Sequence, residues 1–426
     1  MPDIDSQMAR IMRGVEEVIH EDELRKRLEH SLKTGKPLRI KLGVDPTASD
    51  IHLGHMVTIR KLKHFQDCGH TAIFLIGDFT ARVGDPTERS EGRTRLTKDE
   101  VWTHADTYKA QVFQILDEEK TELRSNGEWF DNMSFADCLD LAYRSTVARM
   151  LERNDFENRY KSGNPISITE FLYPLMQGYD SVALECDVEL GGTDQKFNLL
   201  AGRDMQIQHN QPPQIVMMTP LIEGLDGAKK MSKTLGNYIA INDTAEEMFG
   251  KTMSIRDDLM VKYFTLLTDV DSGLIKQYEA ALETPDLHRE AADPLHVMNI
   301  KKALALAIVT EYIDSQSAER ARAHFEKVVQ RKEIPDEQYS TQYQVPLSMT
   351  TSNEKGMHSI GIIELVASAS GMSKSDARRI VTQGGVEYDG VKVSDVSTEV
   401  AVDGEKRVLK AGKRKFFLVS TADGEQ

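Results

Sequence analysis

Two apolar, β-rich runs, "LRIKLGV" at 38–44 and "TAIFLIGDF" at 71–79, stand on either side of a segment with helical periodicity. In that segment Leu53, Met56, Val57, Ile59 and Leu62 recur at a spacing near 3.6 rather than 2, which predicts a helix over 53–67. A strand, a helix and a second strand in so short a span make a βαβ unit, and its strands must run parallel. Strands that are apolar on both faces suit a parallel sheet covered above and below.

The pattern returns further on. "CDVEL" at 186–190 and "QIVMMTPLI" at 214–222 flank a helical segment beginning near Thr193. "TKDE" at 97–100 has the form of a capping box opening a helix through Leu116, and a helical stretch from Phe135 to Asn154 separates the two groups of strands. The expectation is an α/β domain over 1–240, a doubly wound parallel sheet with a helical insertion at about 130–165. Ligands of such sheets bind beyond the carboxyl ends of the strands, where the strand order reverses. After Asn237 the text turns helical, opening on a second capping box from Thr244 to Glu247, and an α-helical domain over 241–335 is expected. Residues 336–356 are polar and rich in Pro, Ser, Thr and Gln, and read as a linker. From 357 to 422, two short helices and then strands with turns at "YDG", "VDG" and "KAGK" predict a small α+β domain.

With 426 residues, 40% hydrophobic and 28% charged, the chain can bury the cores this organisation needs. No run approaches the ~18 apolar residues of a membrane span. The N-terminus lacks the basic start and apolar run of a secretory signal. A cytoplasmic location with no membrane partner is therefore expected. Cys68, Cys138 and Cys186 fit neither a disulfide framework nor a closely spaced zinc site, and are expected to be reduced packing residues. The net charge of −15 argues against general binding to polyanions, yet residues 357–420 carry ten Lys/Arg against eight Asp/Glu. A weakly basic module on an acidic body fits one localised nucleic-acid surface.

"DPTASDIHLGH", Asp45 to His55, lies where the first strand hands over to the helix. His52 and His55, three apart at a helix start, share a face beside the free N–H groups of the first turn. Imidazoles there can donate to phosphate oxygens as charge develops, and Gly54 leaves room for a flat ligand such as adenine against the backbone. An HxxH pair alone is equally a pair of capping or surface histidines. A metal site is disfavoured because no acidic third ligand is near. "KKMSKT", Lys229 to Thr234, puts three lysines within five residues after "GLDGA", and these could reach a triphosphate as movable point charges. Alone it is an ordinary solvated basic turn. Order changes the reading: an HxGH element follows the first strand, and a KMSK element lies beyond the last.

That pairing is the hallmark of class I aminoacyl-tRNA synthetases. From about residue 30 onward the chain resembles the bacterial-type tyrosyl-tRNA synthetases, carrying "DPTASDIHLGH", "LIGDFTARVGDPT", "EFLYPLMQGYDSV", "VELGGTDQKFN" and "KKMSKT" in the family's order. The later "GMSKSDARRIVTQGGVEYDG" resembles an S4 RNA-binding domain. The resemblance implies a Rossmann-like catalytic domain, a helical domain on the anticodon side and an S4-like module. It also implies activation of L-tyrosine by ATP, with Mg²⁺ accompanying the nucleotide, transfer to tRNA(Tyr), and a homodimer joined through the insertion. Carried over residue by residue, Thr47, His52 and His55 would hold the phosphates. Lys230 and Lys233, with Lys229, would close over the pyrophosphate, and Gly54, Met231 and Ser232 would line the ATP site. Asp194 would bind the ribose, with Gly191 and Gly192 permitting close approach. Tyr173, Gln177, Asp180 and Gln195 would surround the amino acid, and Asp85, with Thr80 nearby, would meet its ammonium group. Lys374, Arg378 and Arg379, with Lys413 and Arg414 in "KAGKRKFF", would track RNA phosphates. No permanent metal site is implied.

The pocket makes sense on physical grounds too. Tyr173, Gln177 and Asp180 stand at i, i+4 and i+7, one helical face. A buried Asp180 accepting the phenolic hydrogen bond would be left unpaired by phenylalanine. Such a site rejects the analogue by ~10⁴–10⁵, a rule for which this family is itself the standard illustration. One position departs from the pattern: many members have tyrosine where this chain has Lys41, at the pocket floor. That puts a positive charge near the hydroxyl, where it could pair with Asp180. Two rivals stay open. A tryptophanyl-type synthetase shares both phosphate motifs, although Asp180, Gln177 and the S4-like module argue against it. A noncatalytic RNA-binding relative is disfavoured by intact His52, His55, Lys230 and Lys233.

Overall fold

A computed structural model of the protein describes residues 1–47, 50–86, 97–283, 290–330, 341–352, 358–402, 406–412 and 415–421. It divides into two compact units, Met1–Glu319 and Arg320–Gln426. The sheet of the first unit contains β1 (Glu17–Ile19), β2 (Arg39–Val44), β3 (Thr71–Ile76), β4 (Thr121–Ser125), β5 (Val188–Gly192) and β6 (Ile215–Thr219). Their order is β1-β6-β5-β2-β3-β4, all parallel except β1, which lies antiparallel on β6. The chain builds β3 and β4 outward on one side of β2, then returns to lay β5 and β6 on the other. The strand order therefore reverses between β2 and β5, and a crevice opens at their carboxyl ends.

The four strands legible in the sequence are β2, β3, β5 and β6. The other two are short or polar: β1 is the triplet "EVI", and every residue of "TELRS" in β4 is half-buried at the sheet edge. The helix Leu53–Asp67 has the predicted bounds and buries Leu53, Met56, Val57, Ile59 and Leu62. Four polar side chains are buried on it as well, Arg60, Lys61, His64 and Gln66. Arg60 pairs with Asp269 at 2.6 Å and with Glu311, while the Lys61 ammonium donates to the Ile11 and Arg13 carbonyls at 2.8 and 2.5 Å. His64 lies beside Lys61, with 3.3 Å between its Nδ1 and the lysine nitrogen.

Both predicted capping boxes form, Thr97 with Glu100 and Thr244 with Glu247, although the first helix ends at Val112 rather than Leu116. The insertion breaks into Phe135–Tyr143, Val147–Met150 and Asn154–Lys161, because Ser134 and Thr146 each cap a fresh start. Helices Ala245–Thr252, Met260–Leu267, Ser272–Glu283 and Val297–Tyr312 follow in the same compact unit, so residue 240 does not divide compact units.

The second unit holds helices Ile362–Ser370 and Lys374–Thr382 and strands β7 (Thr341–Val345), β8 (Thr351–Ser352), β9 (His358–Gly361), β10 (Val386–Tyr388), β11 (Val391–Val393), β12 (Glu399–Val402), β13 (Arg407–Ala411) and β14 (Lys415–Thr421). The "YDG" turn joins β10 to β11 with Asp389 and Gly390 both at positive φ, 51° and 80°, as a two-residue hairpin requires. The described part of the expected linker is structured: β7 runs parallel to β14, and β8 pairs with β9. Tyr343 and Val345, two apart, face the unit's core, a period-two signal masked by the polar residues between them. Cys68 and Cys186 are buried as expected, but Cys138 is exposed. No helix among the described residues is long and apolar enough to cross a membrane.

His64 and His70 are buried in their neutral forms. Loss of hydration, with nearby cations, pushes His64 to about 2, and burial pushes His70 to about 4. His70 accepts the Leu38 N–H at Nδ1 and contacts Gln7 through Nε2. The unfolded chain binds protons at these rings below about pH 6.5, while the folded chain excludes them. Stability is thus fully present above 6.5 and is lost as pH falls toward 4. Between pH 7 and pH 5 the Tm should drop by more than about 3 °C, and His70→Gln should flatten that slope, as read by thermal unfolding at several pH values.

Candidate active site

Three residues of backbone pairing bring the two lysine and histidine motifs together. Leu53 N–H donates to the Ile239 carbonyl at 3.0 Å, Ile241 N–H donates to the Ile51 carbonyl at 3.0 Å, and His52 bridges to Ala240 between them. Ile51, Leu53, Ile239 and Ile241 are all buried, so the patch is held by apolar packing as well as by hydrogen bonds. The lysine loop comes just before this patch and lies over the start of the Leu53–Asp67 helix.

The histidines cap that helix reciprocally. His52 Nδ1 accepts the Gly54 N–H at 3.1 Å, His55 Nδ1 lies 3.3 Å from the His52 backbone nitrogen as acceptor, and the ring centroids are 4.0 Å apart. A neutral imidazole that accepts at Nδ1 keeps its proton on Nε2. Both are neutral: burial first, then His55 and the loop lysines, push His52 down to about 2, and burial with Lys233 and Lys230 takes His55 to about 4. The motif thus offers two fixed Nε2–H donors at a helix N-terminus, where an anion is favoured. Gly54 serves this arrangement in a way the sequence reading missed. A Cβ there would stand 2.9 Å from the His52 ring, so the glycine makes room for the capping imidazole.

The loop is braced from behind by Asn237, a residue without an expected role. Its Oδ1 accepts the Ser232 N–H at 2.8 Å, and its Nδ2 donates to Asp226 at 2.9 Å and reaches the Lys230 carbonyl at 3.2 Å. Asp226 in turn accepts the Ala228 and Lys229 N–H groups, each at 3.1 Å. Met231 is buried, and its N–H donates to Ile222. In front, Lys230 reaches Asp194 and Lys233 reaches Asp50, both at 3.3 Å. Lys229 is exposed. At Gly192 a Cβ would fall 2.7 Å from the Asp194 carboxylate, so this glycine lets Asp194 fold back beside the strand end. Thr47 lies at the mouth of β2, its N–H on the Asp45 carbonyl at 2.8 Å.

Deeper in the crevice, the helix Ile168–Ala183 presents Tyr173, Gln177 and Asp180, as predicted. Tyr173 donates to Asp45 at 3.0 Å, and the Thr80 hydroxyl donates to the other Asp45 oxygen at 2.7 Å. Thr80 is buried and its proton is committed, so it stands behind the pocket wall. Asp85 accepts from Gln195 at 2.8 Å and from Arg153 at 3.2 Å, and Asn198 links Arg153 to Gln195. Asp180 is buried between the Trp129 indole N–H at 3.0 Å and the Asn126 amide at 3.3 Å. Burial pushes its carboxyl up to about 8, against the opposing pull of Lys41, Asn126 and Trp129. Burial, with Asp45 and Asp85 nearby, raises the Tyr173 hydroxyl well above its usual value.

Lys41 corrects the expectation most sharply. It is fully buried, and its ammonium contacts Glu189 at 2.9 Å, Ser181 Oγ at 2.7 Å and the Gln177 carbonyl at 3.2 Å. Its ion pair is with Glu189, because β2 and β5 are neighbours with Lys41 opposite Glu189 in register. Asp45, Asn126, Trp129, Arg153, Asn198, Glu189 and Asn237 went unassigned in the sequence. Asp45 inside the first motif, Glu189 and Asn198 inside "VELGGTDQKFN", and Trp129, one of two tryptophans, carried a usable signal.

In the second unit, Lys374, Arg378 and Arg379 lie exposed on Lys374–Thr382, with Lys374 paired to Glu364 and Arg379 to Asp376. Lys413 and Arg414 lie outside the described residues. No group of three or more His, Cys, Asp or Glu among the described residues is arranged to hold a metal ion.

A family model described as tRNA synthetases class I (W and Y) matches residues 33–312. The chain is 50% identical over 416 residues to the tyrosine–tRNA ligase of Thermotoga maritima, covering 98% of each. It is 49% identical over 420 residues to that of Syntrophotalea carbinolica, again covering 98% of each. Among solved structures, a C-terminally truncated mitochondrial tyrosyl-tRNA synthetase of Coccidioides posadasii aligns with a TM-score of 0.59 at 24% identity, over 76% of this chain and 92% of that one. The Archaeoglobus fulgidus tyrosyl-tRNA synthetase complexed with L-tyrosine aligns with a TM-score of 0.59 at 24% identity, over 75% and 100%. These structures share the fold.

If Asn237 braces the loop, Asn237→Ala should speed tryptic cleavage after Lys229, Lys230 and Lys233 by about tenfold while moving the Tm little. Unchanged cleavage at these sites would mean that the apolar patch alone holds the loop.

Proposed function

Because the chain belongs to the class I tRNA synthetases, among the tyrosine–tRNA ligases, we propose that the crevice between β2 and β5 is where tyrosine meets ATP. The protein is a tyrosine–tRNA ligase: it activates L-tyrosine with ATP and charges tRNA with it. The observation that carries the residue roles is the pairing of Ile51–Leu53 with Ile239–Ile241, which sets two Nε2–H donors beside two lysines.

In the reaction, a carboxylate oxygen of tyrosine attacks the α-phosphorus of ATP in line. The bond to the bridging oxygen breaks, and pyrophosphate leaves with that electron pair. The protein's part is positioning and charge stabilisation. His52 and His55, with Thr47, donate to the phosphates as negative charge grows on them, and Lys230, Lys233 and Lys229 follow the departing pyrophosphate. Gly54, Met231 and Ser232 line the nucleotide site, and Asp194, beside Gly191 and Gly192, takes the ribose. Asp85 and Gln195, with Tyr173 and Gln177, hold the amino-acid end, and Asp180 accepts the phenolic hydrogen bond. Thr80 contributes by fixing Asp45. Mg²⁺ would come in on the triphosphate and supply further charge neutralisation there.

Residues 1–240 would form the catalytic domain, 241–335 the part toward the anticodon and 357–422 an S4-like module. In that module Lys374, Arg378 and Arg379, with Lys413 and Arg414, meet the phosphates of tRNA(Tyr). The active assembly is a homodimer. Phe135, Leu139 and Tyr143 stand at i, i+4 and i+8 on one helix and are 79%, 55% and 90% exposed, and Ile168, which opens a helix in contact with this one, is 80% exposed. An apolar face of this kind marks an association surface.

Two experiments test these readings. Exchange of pyrophosphate into ATP should depend on tyrosine and not on phenylalanine or tryptophan. In single-turnover assays His52→Ala should slow adenylate formation by about 10²–10³-fold with tyrosine affinity almost unchanged; weakened tyrosine binding at an unchanged rate would refute the phosphate role. For the dimer, Phe135→Asp with Ile168→Asp should halve the mass seen by sedimentation equilibrium, whereas a monomeric parent protein would end the proposal.

A further inference from the structure

Lys41 occupies the floor of the tyrosine pocket, yet nothing about its surroundings leaves it able to bind the substrate. An ammonium has three N–H donors. Here three acceptors surround it: Glu189 Oε1 at 2.9 Å, Ser181 Oγ at 2.7 Å and the Gln177 carbonyl at 3.2 Å. Glu189 is equally enclosed. It accepts from Lys41, from Ser181 at 3.1 Å, from Gln177 Nε2 at 3.2 Å and from Gln214. Both side chains are essentially without solvent contact.

We propose that Lys41 and Glu189 form a buried charged pair that positions the tyrosine-reading groups, orienting Gln177 and drawing Asp180 toward its ionised form, so that discrimination between tyrosine and phenylalanine depends on a residue that touches neither. This rests on Asp180 being the group that reads the phenol.

The connections to Gln177 are direct: its main-chain carbonyl takes a Lys41 proton and its side-chain amide donates to Glu189. The connection to Asp180 is through charge. Its neighbours along the pocket wall, Asn126 and Trp129, are neutral donors, one to each carboxylate oxygen. Lys41 on β2 is the positive group facing Asp180, opposed by the negative Glu189 on β5; Tyr173 on its own helix and Cys186 ahead of β5 keep their protons. Burial alone favours the protonated acid, and Lys41 works against it. An ionised buried acceptor left without a hydroxyl costs far more than a neutral acid in the same place. Protonation of Asp180 would therefore erode the penalty against phenylalanine.

The experiment compares Lys41→Met, Lys41→Arg and the double variant Lys41→Met/Glu189→Gln with the parent enzyme. Pyrophosphate exchange is measured with tyrosine and with phenylalanine from pH 6 to pH 9, alongside thermal unfolding. The double variant removes the buried cation and its partner anion together, so it guards against loss of the fold. In it the KM for tyrosine should rise and the tyrosine-to-phenylalanine ratio of kcat/KM should fall by about tenfold, the equivalent of one unit in the ionisation of Asp180. kcat should change much less. Because Asp180 must be ionised, kcat/KM for tyrosine rises with pH, and that limb should move to higher pH. Lys41→Met should go further, since Glu189 then stands unpaired beside Asp180, and Lys41→Arg should restore most of the ratio. A folded double variant with unchanged ratio and pH profile overturns the proposal, as does an equal loss for both amino acids, which means packing alone. Should the double variant not fold, a Lys41→Arg protein as unselective as Lys41→Met overturns it. Failure of the parent enzyme to exchange with tyrosine would instead remove the reading of the site on which this rests.

Discussion

The phosphate side of the site depends on one short stretch of backbone pairing. Residues 51–53 and 239–241 are far apart in the chain, and each is flanked by a loop with its own charges. A few hydrogen bonds of about 1 kcal/mol net each would not fix such a junction alone. The buried isoleucines on both sides supply the rest by excluding water from it. Once this patch closes, the rings of His52 and His55 and the nitrogens of Lys230 and Lys233 are brought to the same face. The loop behind them then needs only the local bracing of Asn237 and Asp226. Order therefore passes from packing to geometry and from geometry to electrostatics.

The amino-acid pocket is built differently, as a polar network with little freedom. Asp45 holds Tyr173 and Thr80, Thr80 meets Asn126, and Asn126 reaches Asp180, which also takes Trp129. A second chain joins Asp85, Arg153, Asn198 and Gln195. Inside a low-dielectric crevice such bonds reinforce one another, and an unmatched member is expensive. The pocket is thereby set before any ligand arrives, as tight discrimination by a single hydroxyl requires.

How much of this could be seen in the sequence follows from what makes a signal. The strands β2, β3, β5 and β6 are buried on both faces and so read as apolar runs, whereas β1 and β4 are edge strands whose residues are only half-buried. Caps such as Thr97 and Thr244 were legible because the bonds they make are local. β7 was not: its pairing with β14 is long-range, and alternation of Tyr343 and Val345 is a thin trace among polar residues. The same division holds at the site. The histidines, the lysines and the Tyr173–Gln177–Asp180 face announce themselves by spacing. Asn126 and Arg153 act through partners remote in sequence, and no local spacing encodes such a partnership. Glu189 shows the limit clearly, since its pairing with Lys41 appears only once β2 and β5 are set side by side.

The ion pairs of Lys230 with Asp194 and of Lys233 with Asp50 bear on the order of events during a turnover. Under the proposed roles, Asp194 is wanted by the ribose and both lysines by the phosphates, so nucleotide entry is a change of partners rather than the filling of a vacancy. Each lysine that turns to the phosphates gives up the aspartate it had been holding. The same pairs can re-form as pyrophosphate departs, so the loop returns to its starting contacts. Capture and release then share one set of charges, and a site constructed this way has no need to bind its nucleotide strongly in order to bind it in the right place.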